Sequence, residues 1–253
     1  MESPYQWLVT GAAGFIGSNV CRHLLCQGHR VVGFDNFASG RRENVDRLTS
    51  VGDRQFDFVE GDIRDGNTLG RAITDCDFVV HLAALVSVQQ SIGDPDLTQE
   101  INVGGFNRVY QAALSAGVER FVYASSSAVY GDADMAQMPL QETTSPAPVS
   151  PYAKSKLSNE KDARKFSRQN PEMANVGLRF FNVFGPGQNP DGDYAAVIPR
   201  WIAAMDGRRA PIIFGDGSAT RDFCHVDNVS ALILGLCLGT PFPTGQVFNV
   251  GTA

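Results

Sequence analysis

Tyr152 and Lys156 stand four residues apart in Ser150-Pro-Tyr-Ala-Lys-Ser-Lys156. On a helix that spacing is about one turn, so a phenol and an ammonium leave the same face. A neighbouring cation favours phenolate over phenol and so lowers the tyrosine pKa. A phenol tuned towards neutral pH can draw a proton from an alcohol as a general base. The spacing alone arises often by chance, so its weight depends on the rest of the chain.

A second set of residues suits a nucleotide. Gly11-Ala-Ala-Gly14-Phe15-Ile16-Gly17 lies between a short apolar run, Trp7-Leu-Val9, and a stretch with helical apolar spacing. The first glycine permits a tight turn, the second lets backbone approach a pyrophosphate, and the third allows close helix–sheet packing. The helix start then offers amide donors to the phosphates. Asp35 ends the next apolar run, with Asn36 after it, near the acidic position expected about 20 residues past the glycines. A carboxylate there accepts hydrogen bonds from a ribose and repels a 2'-phosphate, which favours NAD. Arg41 and Arg42 follow closely and leave NADP as the less favoured choice. Asp62-Ile63 and Leu82-Ala83-Ala84 follow two further apolar runs, where strand ends line a cofactor crevice. On position alone, Asp62 could equally cap a loop.

These residues need elements to hold them. Short apolar runs at Trp7–Val9, Val31–Phe34, Phe56–Glu60, Phe78–Leu82, Phe121–Ala124 and Val176–Phe181 alternate with helical patterns. The helices read as Phe15–Leu25, Leu97–Ala116 and one starting at Pro151 behind Ser150, a good N-cap. This alternation predicts a doubly wound α/β fold with a parallel sheet. Beyond Phe181 a loop runs over 184–193 and a helix over Ala195–Met205. A short strand is predicted over Pro211–Phe214, a helix over Asn228–Leu238 and a strand over Gln246–Val250. The domain division that follows is an NAD-binding unit over 1–181, with 222–250 returning to it. Residues 182–221 form part of a substrate unit.

Composition narrows the class. The chain has 253 residues, a net charge of -6, 43% hydrophobic and 19% charged residues, the proportions of a globular protein. Mild acidity without basic runs argues against nucleic acid. No apolar stretch matches a membrane span, and the N-terminus lacks signal-peptide features, so the reading is cytoplasmic. Five cysteines without Cys-x-x-Cys spacing read as free thiols. The four histidines show no metal spacing, and no metal is expected. His81 and His225 read as structural.

Thr10-Gly-Ala-Ala-Gly-Phe-Ile-Gly17, Asp62-Ile-Arg64, His81-Leu-Ala-Ala84, Ser125-Ser-Ser-Ala-Val-Tyr-Gly131, Ser150–Lys156, Arg179-Phe-Phe-Asn-Val-Phe-Gly185 and Arg221-Asp-Phe-Cys-His-Val-Asp227 span nearly the whole chain. Together they resemble the extended short-chain dehydrogenase/reductase family, which acts largely on nucleotide-activated sugars. The resemblance implies that Ser126 is the catalytic serine beside Tyr152, with Ser127 also facing the sugar. Dehydratases and decarboxylases of the family usually carry Glu where this chain has Ala128. Alanine cannot transfer a proton, so oxidation and reduction at one carbon remain, the work of a 4-epimerase. The segment Gln188–Trp201 is similar to UDP-N-acetylglucosamine 4-epimerases that supply polysaccharide precursors. By that resemblance Asn182 binds the diphosphate, Ala196 and Val197 contact the nucleotide, and Arg200 and Trp201 flank it. Arg221 pairs with the diphosphate and Ser87 faces the sugar. From the residues alone, Trp201 could be helix core and Arg221 an ion pair with Asp222 or Asp227.

The resemblance also implies a homodimer built on the helices near Leu97–Ala116 and Tyr152. Val103, Phe106 and Tyr110 serve either that contact or the core. Family members continue for tens of residues past the position of Ala253. The missing part commonly supplies another arginine and closing helices, so weakened sugar-nucleotide binding is expected. The alternatives are a UDP-glucose or UDP-uronate 4-epimerase, a reductase that releases its cofactor, and a cofactor-binding scaffold without catalysis.

Overall fold

The computed structural model describes residues 4–132, 138–191 and 195–252. Its main sheet has seven parallel strands in the order β3-β2-β1-β4-β5-β6-β9. These are β1 (Gln6–Thr10), β2 (Arg30–Asp35), β3 (Phe56–Glu60), β4 (Phe78–His81), β5 (Arg120–Ser126), β6 (Ala174–Phe180) and β9 (Gln246–Val250). The period of two explains how one sheet feeds two cores. Trp7, Val9, Val80, Val122 and Val176 point into one layer, beneath α1 (Phe15–Cys26) and α9 (Val226–Leu238). Leu8, Val79, Phe121 and Tyr123 point into the other, against α6 (Phe106–Ser115) and α7 (Pro151–Gln169). Both faces are covered, which is why the strands are nearly continuous apolar runs. The doubly wound class expected from the alternation is the fold observed.

Strand order reverses between β1 and β4, and ligands of such sheets bind in the crevice at that point. Helices α2 (Arg42–Gly52), α3 (Gly66–Ala72), α4 (Val88–Gly93) and α5 (Pro95–Gln99) complete the region around it. A separate two-stranded sheet pairs β7 (Asn182–Phe184) with β8 (Phe223–His225), and α8 (Val197–Asp206) lies between them in sequence.

Two expectations need correction. Pro211–Phe214 forms no strand. Ile212, Ile213 and Phe214 are exposed, and among the described residues the one hydrogen bond to this run is Trp201 Nε1 donating to the Ile212 carbonyl at 3.1 Å. An apolar run without a sheet edge to join satisfies no ladder, whatever its β-propensity. The helix predicted over Leu97–Ala116 is interrupted: Glu100–Gly105 winds as a π-helix between α5 and α6. The choice left open for Val103, Phe106 and Tyr110 falls to the core, where all three are buried. Gly192 and Asp193 of the loop read over 184–193 lie outside the described residues.

Candidate active site

A cavity of about 760 Å³ opens at the switch point and carries the residues picked out at the start. Its walls include Gly11, Gly14, Phe15, Ile16, Gly17, Asp35, Asn36, Asp62, Ile63, Leu82, Ala83, Ala84, Ser126, Tyr152 and Lys156. The glycine turn ends β1, and the Leu82–Ala84 segment ends β4 beside it. A Cβ on Gly11 would stand 2.9 Å from the Ala83 amide nitrogen, and its φ is +74°. A Cβ on Gly17 would strike the Gly11 carbonyl oxygen. Neither neighbour can move aside, because both are backbone. Gly14 caps α1 without a side-chain bond, so the first amides of that helix keep their donors for an anion.

Asp35 closes the turn from the other side. Its carboxylate accepts from the Ala13 and Phe37 amides at 3.0 and 2.8 Å. Burial raises its pKa, and these amides pull against that rise. Asp62 accepts from Arg64 at 2.7 Å and from Asn36 at 3.0 Å. The Arg64 bonds hold its carboxyl at about 2, with partial burial opposing. The folded pKa lies below the ordinary value of 3.8, so the stability this pair adds is present above about pH 4. It is lost as pH falls through about 2. Asp62→Asn should therefore flatten the acid-unfolding curve between those limits, as read by circular dichroism; an unchanged curve would refute the coupling. A buried carboxylate beside the turn, a glycine turn without room for Cβ and uncapped helix amides together offer the acceptor and donors a dinucleotide requires, and the residues fit NAD.

Tyr152 is the second residue of α7, and Ser126 is the last of β5. Burial pushes the phenol up, and a hydrogen bond with the Ser126 side chain pulls it down. Ser126 Oγ also accepts from the Ala128 amide at 3.2 Å. Lys156 is 4% exposed, donates to the Ala124 carbonyl at 3.0 Å and is lowered to about 8 by burial. Its ammonium sits 5.8 Å from the centre of the Tyr152 ring. In the chain alone, the lysine expected to lower the phenol's pKa does not offset its burial. Its charge is spent on a carbonyl, and desolvation of the phenol wins.

His81 is buried behind these groups, and burial, with Lys156 adding to it, lowers its pKa to about 3. Thr10 Oγ1 accepts from the Leu82 and Ala83 amides at 3.2 Å and lies 2.8 Å from His81 Nδ1. The imidazole is therefore neutral and accepts from Thr10, a structural part as expected.

Of the residues expected to hold substrate, Ser126 and Tyr152 line this cavity and the other eight do not. Ser87 caps α4, accepting from the Gln90 amide at 3.2 Å, and Ser127 starts a 3-10 turn. Asn182 Nδ2 donates to the Asp222 carbonyl at 2.9 Å. Ala196 is the N-cap of α8, with Val197 its first residue. Arg200 lies over the Phe214 ring, and Trp201 reaches Ile212. Arg221 donates to the Thr220 carbonyl at 2.7 Å, while Asp227 pairs with Arg22 at 3.0 Å. None of the eight lines the cavity.

Sequence reasoning missed others that matter. Asn102, in the π-helix, donates to Leu85 and Ser155 and accepts from the Leu85 amide at 2.8 Å. Gln188 reaches the cavity with a buried Oε1 that has no partner among the described residues. It stood inside a segment already singled out and could have been found there; Asn102 carried no local signal.

The family model for NAD-dependent epimerases and dehydratases matches residues 7–251. A UDP-glucose 4-epimerase of Mycolicibacterium smegmatis is 40% identical over 97% of this chain, which spans 76% of that relative. A UDP-N-acetylglucosamine 4-epimerase of Methanobrevibacter ruminantium, solved with UDP-N-acetylmuramic acid, superposes with a TM-score of 0.89. It is 34% identical over 98% of this chain and 77% of its own. A dTDP-glucose 4,6-dehydratase of Streptomyces venezuelae with NAD bound gives 0.85 at 32% identity, over 98% and 76%.

Proposed function

The chain belongs to the NAD-dependent epimerase/dehydratase family, and on that premise we propose that it inverts carbon 4 of a UDP-hexose, UDP-N-acetylglucosamine first among them. The observation that carries this reading is the convergence of Ser126, Tyr152 and Lys156 on the cavity that the glycine turn also lines. Epimerases and dehydratases share the fold, so the choice between them rests on a residue. Ala128 follows the serine where an eliminating enzyme needs an acid–base group, and a methyl group moves no proton.

The chain's own residues divide the work as follows. Gly11, Gly14, Phe15, Ile16, Gly17, Asp35, Asn36, Asp62, Ile63 and Leu82–Ala84 hold NAD, which supplies a hydride acceptor and donor when bound. Tyr152 takes the proton from the 4-hydroxyl and later returns one. Ser126 holds the same oxygen by its hydroxyl. Lys156 keeps a positive charge under the phenol. Ser87, Ser127, Asn182, Ala196, Val197, Arg200, Trp201 and Arg221 grip the sugar nucleotide, with Arg221 offering a planar fork suited to a diphosphate. That grip would leave the hexose room to turn within the site.

We assign residues 1–181 and 222–250 to the NAD unit and 182–221 to the substrate unit. The protein acts as a cytoplasmic homodimer that supplies a polysaccharide precursor. Since Val103, Phe106 and Tyr110 are committed to the core, the outer faces of their helix and of α7 would form the dimer contact. No helix among the described residues is long and apolar enough to cross a membrane.

The test is product analysis after incubation with UDP-N-acetylglucosamine, UDP-glucose and UDP-glucuronate separately. The expected major product is UDP-N-acetylgalactosamine. Conversion of UDP-glucose alone would overturn the N-acetyl assignment and keep the epimerase; loss of water from any of the three would overturn the epimerase.

A further inference from the structure

Ser91 lies on α4, outside every motif that points to the chemistry, and is 0% exposed. Its hydroxyl donates to the Val88 carbonyl at 2.6 Å, which fixes where the proton points. The remaining lone pairs face the start of α7, and Tyr152 donates its backbone N–H to Ser91 Oγ at 3.2 Å. That N–H is one of the first amides of a helix, which have no partner within the helix itself. Ser150 Oγ takes the next one, from Ala153, at 3.1 Å. A hydroxyl from another element thus completes the cap at the residue that carries the phenol.

The turn that holds Ser91 faces the cavity. Val86 and Gln90 line it, and Ser87, between them, begins α4. The Ser91 amide donates to the Ser87 carbonyl at 3.0 Å, so the two serines are ends of one helical turn. At the other end of the segment Asn102 brackets Leu85 with two bonds and reaches Ser155 on α7 at 3.0 Å. Ser155 Oγ donates to the Tyr152 carbonyl at 2.7 Å. Residues 85–91 are therefore fastened to the first turn of α7 at both ends, and one fastening is the Tyr152 amide itself.

We propose that Ser91 is a positioning residue for Tyr152, its buried hydroxyl fixing the first turn of α7 to the turn that faces the sugar. The proposal rests on the reading of Tyr152 as the general base. A phenol and an alcohol must meet within hydrogen-bond reach for proton transfer, and a misplacement of about 1 Å can cost on the order of a hundredfold in rate. Ser91 makes that separation a property of two packed turns and not of one side chain.

The test uses Ser91→Ala and Ser91→Cys in the full chain, the second keeping the volume but offering a poor acceptor. In the 15N-labelled chain without ligand, the Tyr152 amide should exchange about fivefold faster or more in both variants, with amides in the middle of α7 unchanged. With UDP-N-acetylglucosamine and UDP-glucose as probes, kcat should fall by about ten- to a hundredfold and KM should stay within about threefold. The isotope effect from deuterium at carbon 4 should rise, because the hydride step becomes slower. An unchanged Tyr152 amide would overturn the proposal, and so would full kcat in the cysteine variant. A kcat loss matching a loss of folded protein, with the isotope effect unmoved, would reduce Ser91 to packing and also overturn it. Tyr152→Phe run alongside separates the two readings: turnover in that variant removes the base assignment, while the amide exchange judges Ser91 by itself.

Discussion

Tyr152→Phe is expected to cut turnover by about 10²–10⁴-fold, the usual contribution of a positioned acid–base group. The substitution keeps the ring and its packing, and removes one oxygen that makes a hydrogen bond with Ser126. UDP-sugar binding should change little, because the gripping residues proposed above lie elsewhere. Calorimetric titration with UDP would therefore match the unaltered protein. Mixing with a UDP-sugar would no longer produce the absorbance of reduced cofactor. The pH profile gives a second readout. The base must lose its proton to act, and burial holds its pKa above the ordinary phenol value in the chain alone. The rate should thus climb with pH through the neutral range, and that limb should vanish in the phenylalanine variant. Full activity in the variant would dispose of the proposed mechanism.

The largest effect on stability is expected from Arg179→Met. Arg179 and Glu160 form a two-pronged pair, with bonds of 2.8 and 2.7 Å and side chains 4% and 5% exposed. The pair joins β6 to α7, one turn beyond Lys156. Ser125 on β5 donates to the same carboxylate, and the Tyr130 hydroxyl accepts from Arg179 at 2.8 Å. Tyr130 in turn donates to Asn249 of β9 at 2.6 Å. Removing one partner of a buried pair leaves an uncompensated charge and costs about 3–5 kcal/mol. Urea unfolding should show a loss of that size. The double variant Arg179→Met with Glu160→Met should recover most of it, since an apolar pair of similar volume is often as stable. A double variant as unstable as the single one would show that the network holds the sheet by more than its charge balance.

Much of this arrangement was legible in the chain because it is local. The glycine turn, the strand-ending Asp35 and the Tyr152–Lys156 spacing each rest on neighbours within one or two turns of backbone. All three appear where the spacing put them. The polar framework behind them was not legible. Arg179 stood in a quoted motif without a role, because its carboxylate partner lies on a different element and no spacing rule links them. Ser91 and Asn102 were missed for the same reason: their partners are a backbone amide on α7 and a loop residue. The run at 211–214 failed in the opposite sense. It has the composition of a strand, but a strand exists only with a partner, and composition does not state whether one is near.

The bond from Tyr130 to Asn249 bears on how the molecule is made. A ribosome delivers this sequence from the amino end, so the glycine turn, the serine and the Tyr152–Lys156 helix all emerge well before β9. During that interval β6 is the outer strand of an unfinished sheet, with its ladder groups open to pairing with another chain. Arg179 and Tyr130 can already meet, but Tyr130 has yet to gain Asn249. The Leu140 carbonyl and Glu142 carboxylate likewise wait for Asn249, which donates to both. The chemistry-bearing residues are thus translated before the strand that pairs with β6. A nascent chain arrested before β9 should expose a sticky edge beside a nearly complete active site, the stage at which a chaperone has most to protect.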